Sequence, residues 1–157
     1  MDELTFVKLS EINEEDIINL MNNKEVGKLL PLLTGEFSTE DCKAFLKSKK
    51  DLWDKHGYGP WAFIIDGTFA GSGGLQYEQG EADFALILHP NFWGWGRKIF
   101  NKIKAQAFNE NNIDSITILF PPNRTNSKAI IKLGFKEDGK LDVNDEIFIR
   151  YRLSKEI

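Results

Sequence analysis

A single cysteine, Cys42, and two histidines, His56 and His89, are all that this 157-residue chain offers in soft metal-ligand chemistry. A lone cysteine excludes an internal disulfide framework and a cysteine-cluster metal site, and two histidines argue against a zinc centre. Basic residues are in the minority. Twenty Lys and Arg face 24 Asp and Glu, a net charge of −4. That balance argues against nucleic-acid binding as the main role while leaving room for a local basic patch. Long apolar runs are also missing, because charged residues interrupt each one well short of the roughly 20 residues that span a bilayer. The acidic start Met1-Asp2-Glu3-Leu4 lacks the basic residues and apolar stretch of a signal peptide. These absences predict a cytoplasmic protein with no metal, no membrane contact and no nucleic-acid partner. What is present is ordinary for a globular chain: 41% hydrophobic and 28% charged residues, enough for one domain over residues 1–157 with its own core. There is no linker, low-complexity stretch or internal repeat.

Periodicity divides the chain into alternating elements. Residues 4–9 alternate as a first strand, and Ser10 and Asn13 offer cap chemistry for a helix over 14–21. A short helical run covers 24–30 and stops before Pro31. Ser38-Thr39-Glu40-Asp41 opens a longer helix on which Cys42, Phe45, Leu46, Lys49, Leu52 and Trp53 repeat, ended by Gly57-Tyr58-Gly59-Pro60. Strands follow at 61–65 and 68–77, joined by the hairpin signal Asp66-Gly67. Gly71-Ser72-Gly73-Gly74 inside the second predicts a bulge or a close backbone approach. The next strand, 82–88, begins polar and ends apolar on both faces, so it runs from a rim into the core. A helix carrying Ile99, Phe100, Ile103 and Ala107, a strand at 115–120, a helix over 126–132 capped by Gly134, and an alternating strand at 146–153 complete the order. This pattern predicts an α+β (mixed α/β) fold: a largely antiparallel sheet of six to seven strands flanked by about four helices. The alternating last strand is a candidate pairing edge for a homodimer.

The stretch from Leu86 to Phe100 organises the rest. An apolar strand ends at Pro90, an aromatic segment follows, and Gly94 and Gly96 open a helix. Helix starts expose N–H groups that have no partner within the helix, and these suit anions. Glycines let the backbone turn sharply and let a phosphate come close. The spacing fits neither the dinucleotide fingerprint, which wants a glycine at Ile99, nor a P-loop, which wants Gly-Lys-Ser/Thr. A tight turn with Trp93 and Trp95 packed beneath is the alternative.

Asn91-Phe92-Trp93-Gly94-Trp95-Gly96 resembles the acyl-CoA loop of the GNAT superfamily of N-acetyltransferases, Gln/Arg-x-x-Gly-x-Gly/Ala, with Asn91 at the first position. The Phe92-Trp93-Gly94-Trp95-Gly96 form is most similar to the branch of ribosomal-protein N-terminal acetyltransferases. Asn123 to Phe135, with Asn123, Asn126-Ser127 and Lys132-Leu133-Gly134-Phe135, resembles that family's late motif. The two blocks stand in the family's order and at about its spacing. The resemblance implies a strand at 86–88 splayed from its neighbour, so that Leu86, Ile87 and Leu88 wall the pantetheine arm and an N–H there polarises the thioester. It implies that backbone N–H groups of Trp93, Gly94, Trp95, Gly96, Arg97 and Lys98 hold the pyrophosphate, with the Arg97 side chain adding charge. Asn123 and Asn126 are implied cofactor contacts, although Asn126 suits a helix cap equally.

Acetyl transfer to an amine needs a base for the amine proton and an acid for the leaving thiolate. Glu81 and Asp83, on one face of the strand, are the candidate bases, with Glu78 a further one. Family members often carry a tyrosine as the acid; here that position is Ile130. Ser127 or a water is left to protonate the thiolate, or it leaves unprotonated. Tyr58, on a turn between glycines, is the candidate acceptor contact. The implied function is N-acetyl transfer from acetyl-CoA to a primary amine, either a protein N-terminus or a small amine, by direct transfer in a ternary complex. A non-catalytic acyl-CoA sensor of the same fold is the alternative.

Overall fold

The computed structural model describes residues 3–28, 35–121, 127–143 and 145–155. Seven strands, β1 (Leu4–Val7), β2 (Pro60–Ile65), β3 (Thr68–Glu78), β4 (Glu81–Leu88), β5 (Ser115–Phe120), β6 (Lys136–Val143) and β7 (Glu146–Ser154), form one sheet in the order β1-β2-β3-β4-β5-β7-β6. Every adjacent pair is antiparallel except β4–β5. The helices are α1 (Glu14–Met21), α2 (Lys24–Gly27), α3 (Thr39–His56), α4 (Gly96–Asn109) and α5 (Ser127–Lys132).

Local chemistry sets most of these boundaries. The Asn13 side chain accepts from Glu15 N–H at the start of α1. Ser38 and Asp41 form a reciprocal capping box on α3, which satisfies two helix-start donors at once. Gly57 closes α3 in the left-handed region at φ +77°, where other residues are strained. The helix expected over 24–30 is shorter, ending at Gly27, and its last two positions lie outside the described residues.

The sheet is covered on both sides. Ile99, Phe100, Ile103 and Ala107 of α4 and Ile130 of α5 pack on Phe63, Leu75, Ala82, Leu88, Ile116 and Ile118. On the other face Ile17 and Met21 of α1 and Cys42 of α3 bury against Ala62. The predicted close approach is present: a Cβ on Gly71 would lie 2.1 Å from the Ile87 carbonyl oxygen, and one on Gly73 2.4 Å from that of Ala85. Only glycine lets β3 lie this tightly on β4. A bulge sits nearby, where the β2–β3 register shifts between Phe63 and Ile64.

Two expectations need correction. β6 was not anticipated, because Lys136-Glu137-Asp138-Gly139-Lys140 has neither alternation nor β-formers. It is held by main-chain pairing to β7 instead. The last strand is therefore not a pairing edge: β7 lies between β5 and β6, and β6 takes the edge.

Candidate functional site

The parallel pair β4–β5 is joined through α4, as a parallel connection requires. It is registered only at Ala82↔Ile116 and Asp83↔Thr117, whereas β4 pairs with β3 along its whole length, from Glu81 to Leu88. Beyond Asp83 the two strands part. The His89 N–H donates to the Ala70 carbonyl of β3. Main-chain groups alternate sides along a strand, so those of Leu88, Leu86 and Phe84 point the other way, into the gap. The Leu88 carbonyl accepts the Trp93 indole N–H at 2.9 Å. Leu86, one alternate residue down, has its N–H and C=O directed into the same gap.

The chain then passes through a 3₁₀ turn, Pro90–Trp95, into α4. His89 caps that turn, its Nδ1 accepting the Asn91 N–H at 3.1 Å. The expected sharp glycine turn is absent. Gly96 has helical angles (φ −54°, ψ −41°), and Gly94 is not among the positive-φ glycines. What the glycines provide is room. A Cβ on Gly94 would meet nothing within 4 Å, and one on Gly96 only Leu86 Cδ2, at 3.5 Å. The start of α4 has no side-chain cap and no acidic residue in its first turn. Arg97 and Lys98 stand there instead, both exposed, with Lys98 Nζ 4.7 Å from the centre of the Trp95 ring. Cations at the positive end of a helix dipole are unfavourable on their own, and an anion offsets that cost.

Where β4 and β5 part, Asp83 faces away from α4. Its neighbours Ala82 and Phe84 pack on the α4 side, the Phe84 ring edge-on to Phe100. The Asp83 Oδ1 accepts the Thr117 hydroxyl at 2.8 Å. Burial is the main cause that pushes this carboxyl up to about 7. The Thr117 bond acts against the shift, and the nearby charges of Glu78 and Glu81 add to it.

Glu81, two residues away on the same face, is in a different state. Arg152 grips both its oxygens, Nη1 to Oε1 at 3.0 Å and Nη2 to Oε2, and also donates to Ser115 Oγ at 2.7 Å and, through Nε, to Asp138 Oδ2 at 2.8 Å. Arg150 adds a 3.7 Å contact. The Arg152 hydrogen bonds hold the Glu81 carboxyl below its usual range. This network ties β4 to β5, β6 and β7. Arg152→Ala should therefore destabilise the fold by about 1–2 kcal/mol near neutral pH. A carboxyl with a depressed folded-state pKa stabilises fully above its ordinary range, and that contribution is lost as pH falls through the folded value. Denaturant melts of wild type and variant should accordingly differ at about pH 7 and converge as pH falls below the ordinary carboxylate range.

The other expected residues are placed apart. Tyr58 lies with Trp53, Trp61 and Leu75 along a pocket of about 220 Å³ that reaches Gln106 of α4 and Glu110 just past its end. That is the C-terminal half of the 14-residue helix that begins at Gly96, about 10–21 Å away along its axis, and across the sheet from Asp83. Burial raises the Tyr58 phenol above its ordinary value. Ser127 is the half-buried first residue of α5. Ile130, where an acid was looked for, is buried in the core on the α4 side. Asn123 and Asn126 lie outside the described residues. Cys42 is fully buried, and burial pushes its thiol up, the reverse of what a nucleophile needs.

The family profile described as an acetyltransferase (GNAT) domain matches residues 3–136. The chain belongs to the GNAT acetyltransferase family. Solved structures agree with this at the level of the fold. An acetyltransferase from Agrobacterium tumefaciens superposes with a TM-score of 0.77 at 16% identity, over 97% of this chain and 91% of that one. A GNAT-family acetyltransferase from Bacillus anthracis gives 0.69 at 16% identity, over 97% and 94%. A variant of a spermidine N-acetyltransferase from Vibrio cholerae gives 0.68 at 19%, over 96% and 93%. Among curated proteins none matches. GNAT domains use acetyl-CoA and an amine acceptor, and the splayed strands with the uncapped, basic helix start suit the cofactor's arm and phosphates.

Sequence reasoning missed Thr117 and Arg152. The signal was there in outline: Ser115 and Thr117 alternate with Ile116 and Ile118, and Arg150 and Arg152 share one face of an apolar strand. Which strand those faces would meet was not visible.

Proposed function

We propose that this GNAT domain is an acetyl-CoA-dependent N-acetyltransferase acting on a primary amine by direct transfer, with Asp83 as the general base. The observation that carries this reading is Asp83 itself: a half-buried carboxyl, pushed up to about 7, at the point where β4 and β5 part. A base poised near neutral pH balances proton affinity against the fraction ionised. Glu81, held ionised by Arg152, is the poorer proton acceptor and serves to fix the strand that carries Asp83.

In this reading the start of α4, from Gly96 to Lys98, holds the cofactor's pyrophosphate, and Arg97 adds a forked donor for it. Bound acetyl-CoA supplies the acetyl thioester. The Leu86 N–H, directed into the gap, would donate to the acetyl carbonyl, and the gap keeps the arm extended beside β4. Asp83 takes the amine proton, directly or through a water. Ser127 or a water is left for the thiolate. The buried Cys42 favours a ternary complex over a covalent acyl-cysteine. The half-buried, proton-poised Asp83 favours an enzyme over a sensor, which needs no base.

The amine is either a protein N-terminus, as the ribosomal-protein branch resemblance suggests, or a small amine, as is the spermidine named for the Vibrio cholerae neighbour. Glu78 beside Asp83 suits a cation in either case. Calorimetric titration should show that acetyl-CoA and CoA bind and NAD does not. A panel of N-terminal peptides and polyamines should then yield free thiol. Absence of CoA binding would remove both the transferase and sensor readings; binding without turnover on any amine would leave the sensor.

A further inference from the structure

Thr117 is 1% exposed, one of two polar residues among the buried ones described. Among the described residues its hydroxyl has one partner, Asp83 Oδ1, at 2.8 Å. A buried hydroxyl that donates to a carboxylate fixes the orientation of that carboxylate and stabilises its charged form. Among the described residues no donor is bonded to the second oxygen, Oδ2. The two residues are also register partners at the last β4–β5 pair before the strands part. A rotation of the Asp83 side chain therefore breaks its bond at the site where the gap opens.

Among the described residues no cation is bonded to Asp83. Glu78 and Glu81 contribute negative charge from β3 and β4. Across the sheet, Gln76 is the β3 partner of Asp83 and is engaged by Lys49 of α3. Arg152, the register partner of Thr117 on β7, is committed to Glu81, Asp138 and Ser115, and Arg150 to the Asp138 carbonyl. The Thr117 hydroxyl is thus the one hydrogen-bond donor to this carboxylate among the described residues.

We infer that Thr117 is the positioning residue of the site: its hydroxyl fixes Oδ1 of Asp83, leaves Oδ2 without a bonded donor among the described residues, and keeps the carboxylate available as a base at neutral pH. The inference rests on the reading of Asp83 as the base. Thr117 touches neither amine nor cofactor; it acts through Asp83.

Thr117→Val keeps shape and β-branching but removes the donor, and Thr117→Ser keeps the donor. Loss of a bond that favours the charged form moves the titration of Asp83 to higher pH. A shift of about one pH unit would lower the ionised fraction near pH 7 about five-fold and restore it near pH 9. The experiment has two arms. Carbon-13 NMR titration of the aspartate carboxyls, with Asp83→Asn to assign the signal, needs no acceptor. The pH profile of kcat/KM with the responsive amine reports the reaction. The expected result is a wild-type midpoint near 7, moved up about one unit in Thr117→Val and back toward wild type in Thr117→Ser, with the acid limb of activity moving in parallel. An Asp83 midpoint near 4 in the wild-type protein would overturn the base reading itself. A midpoint near 7 that Thr117→Val leaves in place would overturn the role of Thr117 alone, and an unmoved acid limb in a folded Thr117→Val would do the same.

Discussion

Asp83→Asn should lower turnover by about 100- to 10,000-fold, the range of a lost general base, while making the folded protein more stable above neutral pH. The two effects share a cause. The Asp83 carboxyl is pushed up to about 7, chiefly by burial. Between its ordinary value and about 7 the folded state binds a proton that the unfolded chain has released, so stability falls as pH rises through that window. A shift of about three units corresponds to at most about 4 kcal/mol. Because the carboxyl is only half-buried and partly screened by water, about 2 kcal/mol is the expected gain for Asp83→Asn near pH 8, shrinking toward about pH 4.5. Asparagine keeps an oxygen to accept the Thr117 hydroxyl, so the local geometry survives. Activity assays and thermal melts at the two pH values check both halves. Activity within two-fold of wild type would remove Asp83 as the base, and a pH-independent stability difference would remove the perturbed carboxyl.

The second large effect is expected at Gly96, at the start of α4. Its missing side chain would point toward Leu86 Cδ2, 3.5 Å from a Cβ, and so toward the strand whose main chain faces the gap. An ordinary contact at that distance means Gly96→Ala folds normally and gains up to about 1 kcal/mol of helix propensity. Gly96→Leu fills the mouth between α4 and β4. It should weaken acetyl-CoA binding by about 100-fold or more, about 2.7 kcal/mol, with the melting temperature close to wild type. Titration calorimetry of both variants reads the graded loss. Unchanged affinity in Gly96→Leu would remove the helix start as the pyrophosphate site.

Much of the fold was legible because its signals are local. Ser38-Thr39-Glu40-Asp41 announces a helix start, Asp66-Gly67 a hairpin, and Ile99, Phe100, Ile103 and Ala107 a buried helix face. Each of these depends on residues within one or two turns of one another. Gly71 and Gly73 marked a close approach correctly, since a missing Cβ is a statement about the nearest strand whichever strand that is. β6 was missed for the converse reason: its first five residues carry no strand pattern, the alternation of Leu141 and Val143 is too short to mark a strand, and β7 holds them through main-chain bonds. At the site, Gly94 and Gly96 stand at the helix start where the sequence placed them, with the expected room beside the backbone but without the expected sharp turn.

By itself the sequence determined the order of the elements apart from β6, a largely antiparallel sheet flanked by helices, and the position of the glycine-opened helix, since periodicity and caps act over short range. Only the tertiary structure gives Glu81 and Asp83 different surroundings. Two carboxylates at i and i+2 on one strand are equivalent in sequence. What separates them is that β7 brings Arg152 to Glu81, and β5 brings only the Thr117 hydroxyl to Asp83. A full counter-charge lowers one carboxyl, while burial with a single neutral donor raises the other. That difference comes from strands more than 30 residues away in the chain.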